Sequence, residues 1–459
     1  MSLFAIQDAY IRAGFGEREF HNSTNLNPVG AVVLVSAVLA VLLLSRRHAL
    51  WPLLAMSSAV PTGQRVAVLT LDFNLIRLVL LAYGVRILIR GERLASRLTL
   101  TDRLLIGWLA CRICAYTALH GTTGAFVYQA GQLYDFLGIY FVARVYMRTP
   151  TEVRTTWNRL AMVSLPVALL FLVEMNTARN LFSAMGGVPE FTAIRDGRLR
   201  CQGPYEHPIL AGAFWAMLLS VFAGLARTRT RSLRTAGRIG LACSLLIIFA
   251  CASSTPLIGV VVRLGLAAAL PIRSWAPQGL LMLAGALLVI HFIREPPVWQ
   301  LIAKAGVVGG STAIYRYRLL DAFIRNWSEW LIIGTKGTAH WGFYLFDLTN
   351  QYVVEGVRGG LVTLALFLAG LASGIRTAYR SSISRVLQSR DRMLSWHAVA
   401  ALGGTAVMFI GISITHSNQT TMIMLLLLAS TQTRRGAAKP VSSKSSHSEP
   451  GAKPVIPHP

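Results

Sequence analysis

Long apolar runs, broken by short polar stretches that carry arginine, repeat along the whole chain. Thirteen such runs stand out: 29–45, 49–63, 68–89, 104–120, 123–143, 159–177, 206–226, 239–254, 256–272, 277–293, 351–374, 396–416 and 418–432. Most approach the roughly 20 residues that a helix needs to cross a bilayer, where it satisfies its own backbone hydrogen bonds. The pattern predicts an all-α, polytopic helical membrane protein with about 12 to 13 transmembrane helices. The second, eighth, ninth and last runs are short. Two breaks are long enough to hold structure: about 178–205, and about 294–350 between the tenth and eleventh spans. No internal repeat is evident.

In the larger loop, Leu319, Leu320, Phe323 and Ile324 recur at helical spacing and suit an amphipathic helix lying on the membrane. Lys336 to Phe343 reads as an aromatic, glycine-containing loop. Residues 1–28 form an N-terminal segment without the basic-then-apolar pattern of a cleavable signal. Residues 29–433 form the membrane domain. Residues 434–459, rich in Ser, Pro and Lys, read as a disordered cytoplasmic tail.

Composition agrees: 54% of residues are hydrophobic and 14% charged, against about 25% charged in soluble domains. Net charge is +25, from 44 Lys and Arg against 19 Asp and Glu. The basic residues concentrate on alternate breaks: Arg46–Arg47, Arg86–Arg103, Arg144–Arg159, Arg227–Arg238, Arg273, Arg376–Arg392 and the tail. Basic loops face the cytoplasm and its anionic lipid, so the charge implies membrane lipids as partners and no nucleic acid. The N-terminus and both long loops then lie outside. The 5 cysteines form no framework. Cys111 and Cys114 make a CxxC inside an apolar run, where Cys acts as a small hydrophobe, and no further ligands stand at zinc spacing. Cys201 is expected to be exposed, single and free. No metal or cofactor is expected.

The chemistry-bearing residues gather in the outside loops. Arg195, Arg198 and Arg200 precede the seventh span, and Arg316 and Arg318 lie in the large loop. Guanidinium groups fit diphosphate oxygens; the same residues also suit snorkelling to headgroups or a salt bridge to Glu190 or Asp196. Two residues apart on a helix, Arg316 and Arg318 diverge, so only one faces a site. Glu206-His207-Pro208 opens the seventh span, as a base or as a helix cap. Asp347, Asn350 and Glu355 precede or enter the eleventh span. A carboxylate there suits proton abstraction from a sugar hydroxyl, capping by Asp347, or pairing of Glu355 with Arg358. His340 and Trp341, with Trp330 and Tyr344 nearby, suit a sugar site or a headgroup-level aromatic belt. Inside the spans, Asp135 has Arg112 as a candidate partner.

Two segments give these residues a resemblance. Arg200-x-x-Gly203-x-Tyr205-x-His207-Pro208 looks like the Arg-x-x-Gly-aromatic-His/Asn-Pro segment of the O-antigen ligase and Wzy-type polysaccharide polymerase superfamily. Asn350, followed after nine residues by Gly360 and then Thr363, resembles the ligase pattern His-[Asn/Ser/Gln]-x9-Gly-x-x-[Gly/Thr/Tyr]. Ala252 to Gly259 sits where that family has a Ser-Arg-Gly-like turn, and the 294–350 loop takes the place of its large periplasmic loop. Two positions depart: the family His is Thr349 here, and the turn lacks its Arg. Thr cannot act as a base at neutral pH in place of imidazole.

The resemblance implies a bacterial inner-membrane enzyme acting at the periplasmic face without metal. It would transfer glycans from an undecaprenyl-diphosphate carrier in exopolysaccharide or O-antigen biosynthesis, with a flippase and a chain-length regulator as partners. Arg198, Arg200, Arg316 and Arg318 would hold diphosphate. Asp347, His340 or Glu355 would act in catalysis. His207, Asn350 and Trp341 would contact glycan. Thr349 favours a polymerase or an atypical ligase over a standard lipid A-core ligase. The competing classes are a transporter of lipid-linked oligosaccharide, whose mark would be paired interrupted helices, and a non-catalytic subunit of an assembly system.

Overall fold

A computed structural model describes residues 24–68, 71–94, 98–304, 310–414 and 417–435. Nearly all of the N-terminal segment and of the expected tail lies outside these residues. The chain is nearly all helical. In chain order the helices are α1 (Pro28–Leu43), α2 (Trp51–Ala59), α3 (Leu75–Arg90), α4 (Leu100–His120), α5 (Thr123–Tyr146), α6 (Pro150–Thr177), α7 (Pro208–Ala226) and α8 (Arg231–Ala250). They continue as α9 (Ser254–Ala268), α10 (Ala276–Ile293), α11 (Leu301–Lys304), α12 (Gly310–Arg325), α13 (Trp327–Trp330), α14 (Gln351–Ile383), α15 (Ser389–Met408) and α16 (Ser417–Arg435). Each apolar run of the sequence coincides with one long helix or, for the second, a nine-residue one. Five segments are long and apolar enough to cross a membrane: α6, α7, α8, Arg273–Ile293 and α14.

Local signals fix the boundaries. Thr99 with Asp102 and Thr149 with Glu152 form reciprocal capping boxes at α4 and α6. Pro150 and Pro208 occupy first-turn positions, where a missing N–H costs nothing. The third run differs from expectation at its start. Residues 65–68 (β1) and 71–74 (β2) pair as an antiparallel hairpin, and α3 begins only at Leu75, where Asn74 accepts from the Arg77 N–H. A second hairpin joins 193–195 (β3) to 198–200 (β4). Its turn residues Asp196 and Gly197 both have positive φ, 52° and 71°, the conformation that Asp-Gly favours in two-residue hairpins.

Hydrogen bonds between the segments that join the long helices fall into two groups, at two ends of the bundle. At the arginine end, Arg46 donates to the Val145 carbonyl, Arg90 to Leu42 and Leu44, and Arg273 to Ser382. At the opposite hairpin end, Thr62 donates to Glu206, Cys201 N–H to the Ala250 carbonyl, and Gln351 N–H to Phe409 and Ile412. α7 is buried along nearly its whole length, whereas α10 has no buried residue.

Buried charges cross-brace the bundle, though not in the expected pairs. Asp135 pairs with Arg77 at 2.8 Å rather than with Arg112. Arg112 instead pairs with Glu355 at 3.0 Å, and Glu355 also accepts from Trp108 and Gln351. Arg358 therefore does not take Glu355; it donates to the Tyr128 hydroxyl. One further feature was not legible in the sequence. α14 is interrupted at Gly360, whose φ of 72° and ψ of −171° break the helix. The 331–335 segment fills the gap: Thr335 N–H donates to the Val357 carbonyl and Leu361 N–H to that of Leu331. Gly360 has to be glycine, because a Cβ there would lie 2.2 Å from the Ile332 carbonyl oxygen.

Candidate anion-binding site at the hairpin end

The segment carrying Arg200 is held from below by one carboxylate. Glu174, buried near the end of α6, accepts from Gln202 N–H at 2.9 Å, Gly203 N–H at 3.0 Å and the Thr192 hydroxyl at 3.0 Å. Asn180 Nδ2 donates to the Gly203 carbonyl. A carboxylate saturated in this way is an anchor. Cys201, Gln202 and Tyr205 are thereby buried, which corrects the expectation for Cys201. That thiol is inaccessible, its residue docks through backbone on Ala250 next to Cys251, and burial pushes it up to about 12.

Above this anchor, Arg200 lies against the α8–α9 turn, where it senses Cys251. Its guanidinium is nine-tenths buried and makes no hydrogen bond among the described residues. Burial, reinforced by neighbouring Arg195, lowers its affinity for a proton. Across the same turn, Arg316 from α12 donates through Nη2 to the Thr255 hydroxyl at 2.5 Å, in the first turn of α9. Arg316 is 6% exposed and its Nε has no partner among the described residues. The 409–412 turn completes the enclosure: a Cβ on Gly411 would lie 2.7 Å from Arg316 Nε and 3.1 Å from Thr255 Oγ1.

The same turn brings in a second helix start. Gln351 N–H donates to Phe409 and Ile412, and Ile414 N–H to Gln351 Oε1. Asn350 caps α14 by accepting from Tyr352 and Val353 N–H, while its buried Nδ2 and the Thr349 hydroxyl remain unpartnered. Arg316 thus lies at the start of α9, a partial positive charge, and beside the turn that holds the start of α14, while Arg200 lies by Cys251 just ahead of α9. Helix starts with arginine that has no carboxylate partner among the described residues fit phosphate oxygens.

His207 lies beside Arg200 and Arg195, and Asp347 lies beside α12. His207 caps α7, its Nδ1 accepting from Ile209 N–H at 3.1 Å, so the neutral ring carries its proton on Nε2 as a donor. The residue is exposed, and partial desolvation of its ring at the helix start, then the charges of Arg200 and Arg195, push its pKa down to about 4. This imidazole is a neutral hydrogen-bond donor near neutral pH, not a base. Asp347 adjoins α12, where the Tyr315 hydroxyl donates to the Asp347 and Tyr344 carbonyls. It does not cap α14; Asn350 does. The residue is exposed, its carboxylate forms no ion pair among the described residues, and partial desolvation by the packing around it raises it above the usual range. A raised carboxyl is a stronger base.

The other expected residues lie elsewhere. Arg318 is exposed while Arg316 is buried, the divergence that their spacing implies. Arg198 is exposed at the hairpin tip, and Arg195 meets Asp196 at 3.7 Å. His340 Nε2 lies 2.7 Å from Glu329, which also accepts from Trp341 at 3.0 Å. Burial raises the Glu329 carboxyl, and these hydrogen bonds outweigh it, holding it low. Trp341 packs near Phe323, seven residues or about 10 Å along α12 from Arg316. Trp330 is buried in a face-to-face stack with Phe323. Glu355 is fully buried in its brace.

Within the site, Thr255, the 409–412 turn and the free Asn350 amide add groups that no sequence spacing connects. No group of three or more His, Cys, Asp or Glu side chains that could hold a metal occurs among the described residues. Compared with known proteins, the chain matches no family model and no curated sequence.

Proposed function

We propose that this protein is an integral membrane enzyme that transfers a glycan from a lipid diphosphate carrier to a sugar hydroxyl. The single observation that carries the reading is the pair Arg200 and Arg316, buried, without acidic partners among the described residues, and set against the start of α9 and the turn before it. A diphosphate leaving group is what such a cluster stabilises, because negative charge grows on its oxygens as the glycosidic bond breaks.

In this reading about 12 to 13 helices cross the bacterial inner membrane. The arginine end is cytoplasmic and the hairpin end periplasmic. The donor's diphosphate lies between Arg200, Arg316 and the α9 start. His207 Nε2–H and the Asn350 amide donate to donor or acceptor oxygens. Asp347 takes the proton of the acceptor hydroxyl as its oxygen bonds to the anomeric carbon. The bond from that carbon to the diphosphate oxygen breaks, and the lipid diphosphate leaves with the electron pair. His340, Trp341, Arg198 and Arg318 stand further off, where they suit a longer glycan. With Thr349 in place of imidazole and Asp347 available, polymerisation is the form of transfer favoured.

The test is a deletion strain complemented with wild type, Arg200→Gln or Arg316→Gln at matched membrane levels. Surface polymer and lipid-linked intermediates are measured together. Loss of long polymer, with single repeat units on the carrier at the periplasmic face, supports polymerase. Full-length polymer stalled on the carrier means ligase. Normal polymer in both variants removes the arginines from the site. The interruption of α14 at Gly360 favours a second reading, transport of lipid-linked oligosaccharide, since broken helices line transporter sites. Repeat units trapped on the cytoplasmic face would select it.

A further inference from the structure

The walls that enclose Arg316 are themselves held together deeper in the bundle. Thr255, Gly259 and Arg263 follow at intervals of four along α9, on the face turned to α15 and the 409–412 turn. Arg263 is fully buried. Its Nη1 donates to the Gly259 carbonyl at 3.0 Å. Its Nη2 donates to the Ala401 carbonyl at 3.2 Å and the Thr405 hydroxyl at 2.7 Å, both on α15. The helices close tightly around it: a Cβ on Gly259 would lie 2.6 Å from Arg263 Nη1, and one on Gly404 2.5 Å from Arg263 Cγ.

Holding two helices together does not need a cation. A buried arginine that meets only carbonyls and a hydroxyl is costly inside a membrane domain, and such residues mark function. Arg263 forms no ion pair among the described residues. What sets it apart is what it joins. The last turns of α15 carry the start of α14: the Tyr352 hydroxyl donates to the Ala406 carbonyl at 2.6 Å, and Gln351 N–H to Phe409 and Ile412. The start of α9 carries Thr255, which holds Arg316. Two turns below Thr255, about 12 Å along α9, Arg263 fixes the register of α9 against α15. That register sets how far Thr255 stands from Gly411, with Arg316 against both.

We infer that Arg263 is a positioning residue: it clamps α9 to α15 so that Arg316 stands where the diphosphate leaves, and itself touches no substrate. The inference rests on the proposed glycan transfer and deepens it, by naming what holds the leaving-group arginine in place.

The experiment is single-turnover transfer by the purified full chain in nanodiscs, with carrier-linked repeat units extracted from the deletion strain as substrate and rates taken per folded molecule. Arg263→Met should lower the maximal rate by about tenfold to a hundredfold, the scale of misplacing a reacting group by about 1 Å. The half-saturating substrate concentration should stay within about threefold. Arg263→Lys, which keeps a donor for α15, should lose less. Thr405→Val removes one acceptor and keeps the cation, so a fall in rate there tests the clamp even if Arg263→Met fails to fold. The deciding comparison is a double-mutant cycle with Arg316→Gln. Adding Arg263→Met to Arg316→Gln should cost less than about threefold further, although residues this far apart normally act independently. The full single-mutant loss repeated in the double mutant would overturn the inference and leave the proposed site standing. So would unchanged rates in Arg263→Met and Thr405→Val with only a lowered unfolding temperature, the mark of a brace. Normal transfer in Arg316→Gln alone would remove the proposed site itself, and the clamp with it.

Discussion

Both ends of the bundle bury arginine, but they place it against opposite ends of the helices. At the arginine end, Arg86 holds Glu92 and the carbonyls of Val41 and Leu44, Arg144 meets Asp102 at 2.7 Å, and Arg154 meets Asp391 at 2.5 Å. These cations sit on carboxylates or on the negative ends of helices, where they stabilise without help. At the hairpin end, Arg316 is bonded into the first turn of α9 and Arg200 stands over the turn that feeds it. Here the helix charge has the same sign as the side chain. The contrast teaches that a net charge of +25 hides two roles. One set of arginines completes the fold, and the other leaves it electrostatically incomplete until an anion binds.

The sharpest way to break this comparison is to remove one arginine from each end. Arg316→Gln or Arg200→Gln should cost about a hundredfold to a thousandfold in transfer rate, the scale of losing one donor to a developing oxyanion. The fold should hold, because neither guanidinium has a carboxylate partner among the described residues. Arg154→Ala should do the reverse. It leaves Asp391, side chain 13% exposed, with only the longer 3.8 Å contact to Arg390, and should destabilise by about 1 to 3 kcal/mol, with transfer per folded molecule near wild type. Thermal unfolding and single-turnover transfer on the same preparations separate the two. Equal activity losses at both ends would erase the distinction.

Asp347→Asn sharpens the picture inside the site. It should lower the rate by about a hundredfold or more, the range for a general base. In wild type the base must be ionised, and Asp347 is raised above its ordinary value of 3.8. Transfer should therefore be full at neutral pH and fall as pH drops through a pKa above that value. A rate flat down to pH 4 would exclude Asp347 as base.

Legibility followed how local each signal is. Capping boxes such as Thr99 with Asp102 were local signals left unread, whereas the apolar runs were readable, because their period is written within each segment. Arg316 and Arg318 diverging was readable for the same reason. What could not be read depends on packing between distant segments. Asp135 found Arg77 rather than Arg112 because α3 starts only after the β1–β2 hairpin. The Asp-Gly at 196–197 is a hairpin signal that the arginine cluster around it obscured. The break at Gly360 needs the 331–335 segment beside it, and nothing in the sequence pairs the two. The site itself was half readable: Arg200, Arg316, Asn350, His207 and Asp347 were named, while Thr255 and the 409–412 turn enter only through contacts.

The smallest effects test whether the flanking groups belong to the cluster or to the fold. His207→Asn preserves an acceptor for Ile209 N–H and a side-chain donor, so both the α7 cap and transfer should survive within a few-fold. His207→Ala should lose about 1 kcal/mol of capping. Because the wild-type ring, at about 4, stays neutral above pH 5, His207→Asn should leave the pH profile between 5 and 8 unchanged. A limb near pH 6 that disappears in His207→Asn would make the imidazole a base. Glu329→Gln is the weakest change. Glu329 is held low by Trp341 and His340 despite the cost of its own burial, so its contribution is present above its unfolded value of 4.5 and fades as pH falls through the lower folded one. With its side chain 36% exposed, the loss at neutral pH should stay below about 1 kcal/mol. Transfer should hardly move, because His340 stands about two helical turns from Arg316. A large fall in transfer with unchanged stability would move the acceptor to His340 and detach it from Asp347.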